Sequence, residues 1–93
     1  MLQVNDIKVD FWHHPYAMGM RSDHTVKGVT TCVITQAKIG KIYLGYSYCS
    51  ESDQFDRSKG RKIALARALS DFDKETRKVI WEAYWKVVHK DVR

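Results

Sequence analysis

A chain of 93 residues with 44% hydrophobic, 12% aromatic and 29% charged side chains is enough for one folded core and too short for two, which excludes a multidomain layout and wholesale disorder. Lys and Arg number 16 against 11 Asp and Glu, a formal charge of +5; this excludes an acidic nucleic-acid mimic and favours anionic partners, although surplus lysines also serve plain solubility. No apolar run approaches the roughly 20 residues that cross a bilayer, and Asn5, Asp6 and Lys8 interrupt the stretch a signal peptide would need, so the sequence predicts a cytoplasmic protein without membrane contact.

Along the chain, Ile7, Val9 and Phe11 alternate with Lys8, Asp10 and Trp12, the period-2 pattern of a half-buried strand. Leu2 and Val4 fall in the opposite register, so Asn5 and Asp6 read as a bulge or kink, and His13-His14-Pro15 reads as the strand's end, since proline donates nothing to a ladder. Tyr16 to Gly28 lacks periodicity and reads as a long loop. Val29–Thr35 and Ile42–Cys49 are the clearest strands, the second setting Ile42, Leu44, Tyr46 and Tyr48 on one face and Tyr43, Gly45, Ser47 and Cys49 on the other. Between them Ala37–Lys41 is short enough for a hairpin in which Gly40 takes the positive φ. These elements predict a three-stranded antiparallel sheet.

The polar run Ser50–Asp53 offers Ser52 or Asp53 as a cap for a helix over about 54–69. At about 100° per residue, Phe55, Ile63, Leu65, Ala66 and Leu69 gather on one side and Arg57, Gly60, Arg61, Ala64, Arg67 and Ala68 on the other. The pattern predicts that the first side packs on the sheet and that the second is basic and of low relief. A break at Ser70–Asp73 precedes a second helix over about 74–89, apolar along Ile80, Trp81, Ala83, Tyr84, Val87 and Val88. Its apolar width exceeds what a small two-layer fold needs, which predicts a homodimer. The fold expected is therefore a single α+β domain over residues 1–93, βββαα in order.

Catalytic and metal motifs are weak. His13, His14, His24, Cys32 and Cys49 show no C-x-x-C or H-x-x-x-H spacing, and adjacent strand residues point to opposite faces. Two cysteines in strands read as buried, reduced thiols. Asp53 and Asp56 read as capping residues, and no phosphate-loop or dinucleotide fingerprint is present. No cofactor and no enzymatic activity are expected. Tyr43, Tyr46, Tyr48 and Trp12 read either as core or as a stacking platform for bases.

The segment from Ser52 to Ala68 is the distinctive one. It gathers Arg57, Lys59, Arg61, Lys62 and Arg67 around a helix that contains Gly60, although glycine there costs about 1 kcal/mol relative to alanine. One reading brings a phosphate or other anion against Gly60, clamped by guanidinium forks. The other makes Gly60, Ala64 and Ala68 a small-residue ridge for helix packing, with the arginines paired to Asp53, Asp56 and Asp71. The candidate ligand-binding residues are Arg57, Lys59, Gly60, Arg61 and Arg67.

The run from Gly45 to Ala68, with its aromatic strand, polar turn and D-Q-F-x-R-x-x-G-R-x-I-A-x-x-R-A pattern at Asp53–Ala68, resembles small accessory proteins of bacteriophages and plasmids, over roughly a quarter of the chain. That resemblance implies a non-catalytic antagonist of bacterial defence in the host cytoplasm, acting on an anionic nucleotide signal or, like an anti-CRISPR protein, on a nuclease ribonucleoprotein. It carries over Asp53, Phe55, Arg57, Gly60, Arg61, Ile63, Ala64 and Arg67. The alternative expectation is a small basic module that binds DNA or RNA.

Overall fold

The computed structural model describes residues 1–15, 26–50 and 57–91, with backbone alone at 15, 26, 27, 49, 50, 90 and 91. Its elements are β1 (Leu2–Val4), β2 (Ile7–Pro15), β3 (Val26–Gln36), β4 (Lys41–Ser50), α1 (Arg57–Ala68) and α2 (Lys74–Asp91), with single 3-10 turns at Ala37–Ile39 and Leu69–Asp71. The strands form one antiparallel meander in the order β1-β2-β3-β4. The α+β class is as expected, but the sheet has four strands where the sequence predicts three.

The extra strand arises from how Asn5 and Asp6 are used. Val4 pairs with Ile7 across a two-residue turn in which Asn5 takes φ 54°, the left-handed region that asparagine tolerates better than most residues. The turn reverses the chain instead of bulging it. Leu2 then lies opposite Val9, and both side chains are buried.

At its other end, β2 runs to Pro15 with His13-His14-Pro15 as its last residues, as expected: His13 pairs with Thr30, His14 with Val29 and Pro15 with Gly28. β1 pairs with β2 only as far as Val9, so beyond that point β2 is an edge strand, where a missing N–H leaves no ladder bond unmade. Residues 26–28 of the expected loop belong to β3; the rest of it, and the expected start of the first helix with its caps and Phe55, lie outside the described residues. The β3–β4 connection is the expected tight hairpin, with Gly40 at φ 63°.

Both helices cover the same face of the sheet, α1 over β3 and β4 and α2 over β1 and β2. Val9, Cys32, Ile34, Leu65, Leu69, Ile80 and Tyr84 are fully buried between the layers. Tyr84 meets Phe11 edge-on at 5.9 Å and Trp81 at 5.7 Å, which seats α2 on the sheet. Asp73 opens α2 by accepting a hydrogen bond from the Thr76 backbone at 3.4 Å, and the Thr76 side chain first, then the backbone N–H groups of this turn, hold its carboxyl below the ordinary carboxylate range.

The packing face of α1 matches the expected one only in part: Leu65 and Leu69 are buried as expected, but the buried side is rotated toward the small residues. Gly60, Ala64, Leu65 and Ala68 are buried, whereas Ala66 is exposed. The small-residue side lies against the sheet because β4 places Gly45 beneath it: a Cβ at Gly45 would collide with the backbone at Ala64 and Ala68. Gly60, Ala64 and Ala68 do form a small-residue ridge, but strands β3 and β4 lie against it where the sequence reading expects another helix.

Among the described elements none covers the other face. By the pairing register, that face carries Lys8, Asp10, Trp12 and His14 from β2, Val29, Thr31, Val33 and Thr35 from β3, and Ile42, Leu44, Tyr46 and Tyr48 from β4; Val29, at the His14 and Tyr48 end, is 1% exposed, and the exposed stretch runs from Trp12 and Tyr48 toward Ile42. The more apolar side of β4 is thus the uncovered one, since the helix requires the low profile of Gly45 and Ser47.

Candidate anion-binding site

At the end of the sheet where β2 and β3 carry His13 and Thr30, the start of α1 comes down on the strands. Gly60 sets the depth: a Cβ there would lie 2.5 Å from Thr30 Oγ1 and 3.3 Å from Thr30 Cβ. The group that approaches Gly60 is therefore Thr30, itself 1% exposed, whose hydroxyl shares a 2.9 Å hydrogen bond with His13 Nδ1.

Arg57 and Arg61 are one helical turn apart, separated by about 40° around the axis, on the side of α1 that turns toward this corner. Their charges reach His13: burial first, then Arg61, Arg57 and His14, hold its imidazole below the ordinary value of 6.5. The Nε of Arg61 is shielded from solvent and has no hydrogen-bond partner among the described residues. The ion pairs found among the described residues join Asp10 to the Met1 amino group and to Lys8, away from this corner. Asp53 and Asp56 lie outside the described residues, and Asp71 sits beyond the opposite end of α1. Like charges at i and i+4 disfavour a helix, and a bound anion would relieve that repulsion.

The other candidates go elsewhere. Arg67 lies about 120° around the helix from Arg61 and donates from Nη1 to the Tyr46 carbonyl at 2.6 Å, on the outer edge of β4. Lys62 stands 5.8 Å from the Trp85 ring and ties α1 to α2. Lys59 is exposed on the far side of α1. Of the five proposed ligand-binding residues, the fold brings Arg57, Gly60 and Arg61 to one place and sets Arg67 and Lys59 apart.

His13 and Thr30 are the members that the sequence reading missed. The signal was present, because the alternation Ile7, Val9, Phe11 continues to His13; Pro15 two residues later obscured it. Among the described residues no three His, Cys, Asp or Glu side chains converge as metal ligands; His24 lies outside them. Cys32 is buried and its thiol is pushed up to about 12, by desolvation first and then by the Asp10 carboxylate. Its cross-strand neighbour on β4 is Gly45, so the Cys49 backbone is four residues farther along, about 13 Å away, beyond disulfide reach. A depression at the foot of α2, between Asn5, Ile7, Asp73, Glu75 and Ile80, has carboxylates on its rim and suits no anion.

The Gly60–Thr30 contact makes Gly60→Ala a test of the corner's packing. Helix propensity favours alanine by about 1 kcal/mol, but Thr30 is buried, β-branched and held by His13, so it cannot yield. The expected result is a net loss of stability in urea titrations, turning to a net gain when Gly60→Ala is made in a Thr30→Ala background. An unchanged sign in the two backgrounds would show that Thr30 does not limit the approach.

His13 also gives a pH dependence. Its pKa is lowered on folding, so the unfolded chain binds the proton first as pH falls: this contribution is complete above the unfolded value near 6.5 and is lost as pH drops below it toward the folded pKa. Denaturation midpoints are expected to fall between pH 7 and 5, and less steeply in His13→Asn. An equal slope in the variant would assign the pH dependence to other groups.

Comparison with protein-family models, with curated proteins and with solved structures finds no match to this chain.

Proposed function

We propose that this chain works without catalysis, as a stoichiometric binder of a phosphate-bearing ligand at the corner formed by Arg57, Arg61 and His13. One observation carries the reading: the Arg61 Nε is buried and unpartnered among the described residues, beside a glycine-lowered helix start where the charges of Arg61 and Arg57 both act on the His13 imidazole. An anion placed there gains charge-assisted hydrogen bonds, and arginine's planar fork suits phosphate oxygens.

The ligand class proposed is a nucleotide signal, and the setting is the anti-defence role implied by the resemblance of the Gly45–Ala68 segment to phage and plasmid accessory proteins. A phosphate at the corner stabilises His13 in its protonated form, so binding takes up a proton and tightens as pH falls. Calorimetric titration against a panel of cyclic mono- and dinucleotides tests the reading directly. Saturable heat with at least one member is expected, lost in Arg61→Ala; no heat with any member removes the nucleotide ligand.

A second reading, a basic nucleic-acid-binding module, is favoured by the net charge of +5 and by the crowding of Arg57, Lys59, Arg61, Lys62 and Arg67 on α1 without a carboxylate. It requires affinity that falls steeply with salt as phosphate contacts release counterions. A gel shift with duplex and single-stranded DNA at about 50 mM salt distinguishes it, and the absence of any shift rejects it.

A further inference from the structure

The open face of the sheet is not a plain solvated surface. It exposes Trp12 at 50%, Ile42 at 65%, Leu44 at 50%, Tyr46 at 36% and Tyr48 at 40%, four of them in alternate positions along one edge strand. Tyr46 and Tyr48 lie nearly parallel, 6.5 Å apart. Those fractions amount to an apolar area on the order of 500 Å², near the upper end of what a monomer shows.

We infer that this face is where a second copy of the chain docks, sheet against sheet. Three features argue for that occupant, independently of the anion corner. The first is shape. β4 forms a ridge of Ile42, Leu44, Tyr46 and Tyr48, while β3 beside it presents the lower, half-buried Thr31, Val33 and Thr35, one strand spacing of about 4.8 Å away. A two-fold axis between β3 and β4 sets the ridge of one copy into the valley of the other and the reverse, the self-complementarity an isologous contact requires. Face-packed sheets stand about 10 Å apart with strands within about 30° of one another, which leaves room for that interdigitation.

The second feature is charge. The surplus positive charge of the described helices sits on the other layer; α1 alone carries Arg57, Lys59, Arg61, Lys62 and Arg67 with no carboxylate. On the open face Lys8 lies 3.8 Å from Asp10, so this is the broad surface on which two copies of a +5 chain approach without strong repulsion. The third is area. The exposed apolar patch with its rim of Thr31, Val33, Lys8 and His14 approaches the roughly 800 Å² per partner of a standard interface. A single-stranded nucleic acid would need cations along the face to match its phosphates, and the face supplies few.

Sedimentation equilibrium on the full chain, from low to high micromolar concentration, tests the inference. The wild type is expected to dimerise. Leu44→Glu sets a carboxylate into the partner's valley and is expected to weaken association about 30-fold or more, with an unchanged circular dichroism spectrum because Leu44 is already half exposed. Ile42→Glu, at a still more exposed position, repeats the test should Leu44→Glu unfold. Trp85→Lys, on the exposed side of α2, is expected to leave association intact. A wild type that stays monomeric throughout overturns the inference, as does dissociation by Trp85→Lys with dimers retained in the glutamate variants. A monomer whose Trp12 fluorescence is quenched by a single-stranded oligonucleotide overturns it in favour of a base-stacking platform.

Discussion

Arg61→Ala is expected to lower affinity for a phosphodiester ligand by about 10- to 100-fold, the loss that follows from removing one or two charge-assisted hydrogen bonds of about 1.5–3 kcal/mol. Arg61 stands half-buried over the end of the sheet with its Nε out of contact with solvent, so a ligand that reaches it meets a donor with little competition from water. Arg57→Ala is expected to act in the same direction and less than additively, since both groups serve one anion. Arg67→Ala is the informative contrast. Its side chain is committed to the Tyr46 carbonyl on the edge of β4, and its removal is expected to leave affinity within about twofold while exposing the edge to pairing. Calorimetric titration of the three variants separates these outcomes. Equal losses from Arg61→Ala and Arg67→Ala would describe a diffuse positive field rather than a corner.

The largest stability effect is expected at Gly45. A methyl group there meets the backbone at Ala64 and Ala68 and the Ala68 Cβ at 2.9 Å, and backbone on both sides cannot move aside without lifting α1 from the sheet. Overpacking of this kind costs about 3 kcal/mol or more, which for a domain of this size lowers Tm by about 15 °C. Gly40→Ala is the control. Gly40 has φ 63° with nothing within 4 Å of an added Cβ, so the substitution meets backbone strain alone, about 1 kcal/mol. Thermal unfolding of the two variants is expected to rank Gly45→Ala far below Gly40→Ala. The reverse order would mean that α1 does not rest on β4 as described.

Gly45 also explains where the sequence could be read and where it could not. The strands at Val29–Thr35 and Ile42–Cys49, their Gly40 turn and the second helix are written in local patterns of period 2 and 3.6, and the fold contains them all. The first strand escapes because three residues, Leu2–Val4, are too few to establish a period, and the left-handed Asn5 that reverses the chain has no glycine to announce it. The packing face of α1 escapes in part, for a different reason. Gly60, Ala64 and Ala68 carry little hydrophobic weight, so a periodicity argument assigns burial to the larger Ile63 and Ala66 side; what decides it is the absence of a side chain at Gly45, a residue in another element.

The same cause runs through the candidate site. Arg57, Gly60 and Arg61 were legible as a group from their spacing on one helix. Their separation from Arg67 and Lys59 follows from which side of that helix meets the sheet, and the participation of His13 and Thr30 depends on strand pairings between residues 17 apart. The sequence likewise offers two faces of β4 without saying which is covered. The helix selects the flatter one, and Ile42, Leu44, Tyr46 and Tyr48 are left outside.

The claim that an anion sits where Arg57, Arg61 and His13 meet is tested most directly by recording amide and imidazole NMR spectra while pyrophosphate is added. Saturable shifts centred on Gly60, Arg61, Thr30 and the His13 ring, abolished in Arg57→Ala/Arg61→Ala, are the predicted result. Shifts that never saturate, or that centre on Arg67 and the β4 edge, would contradict it.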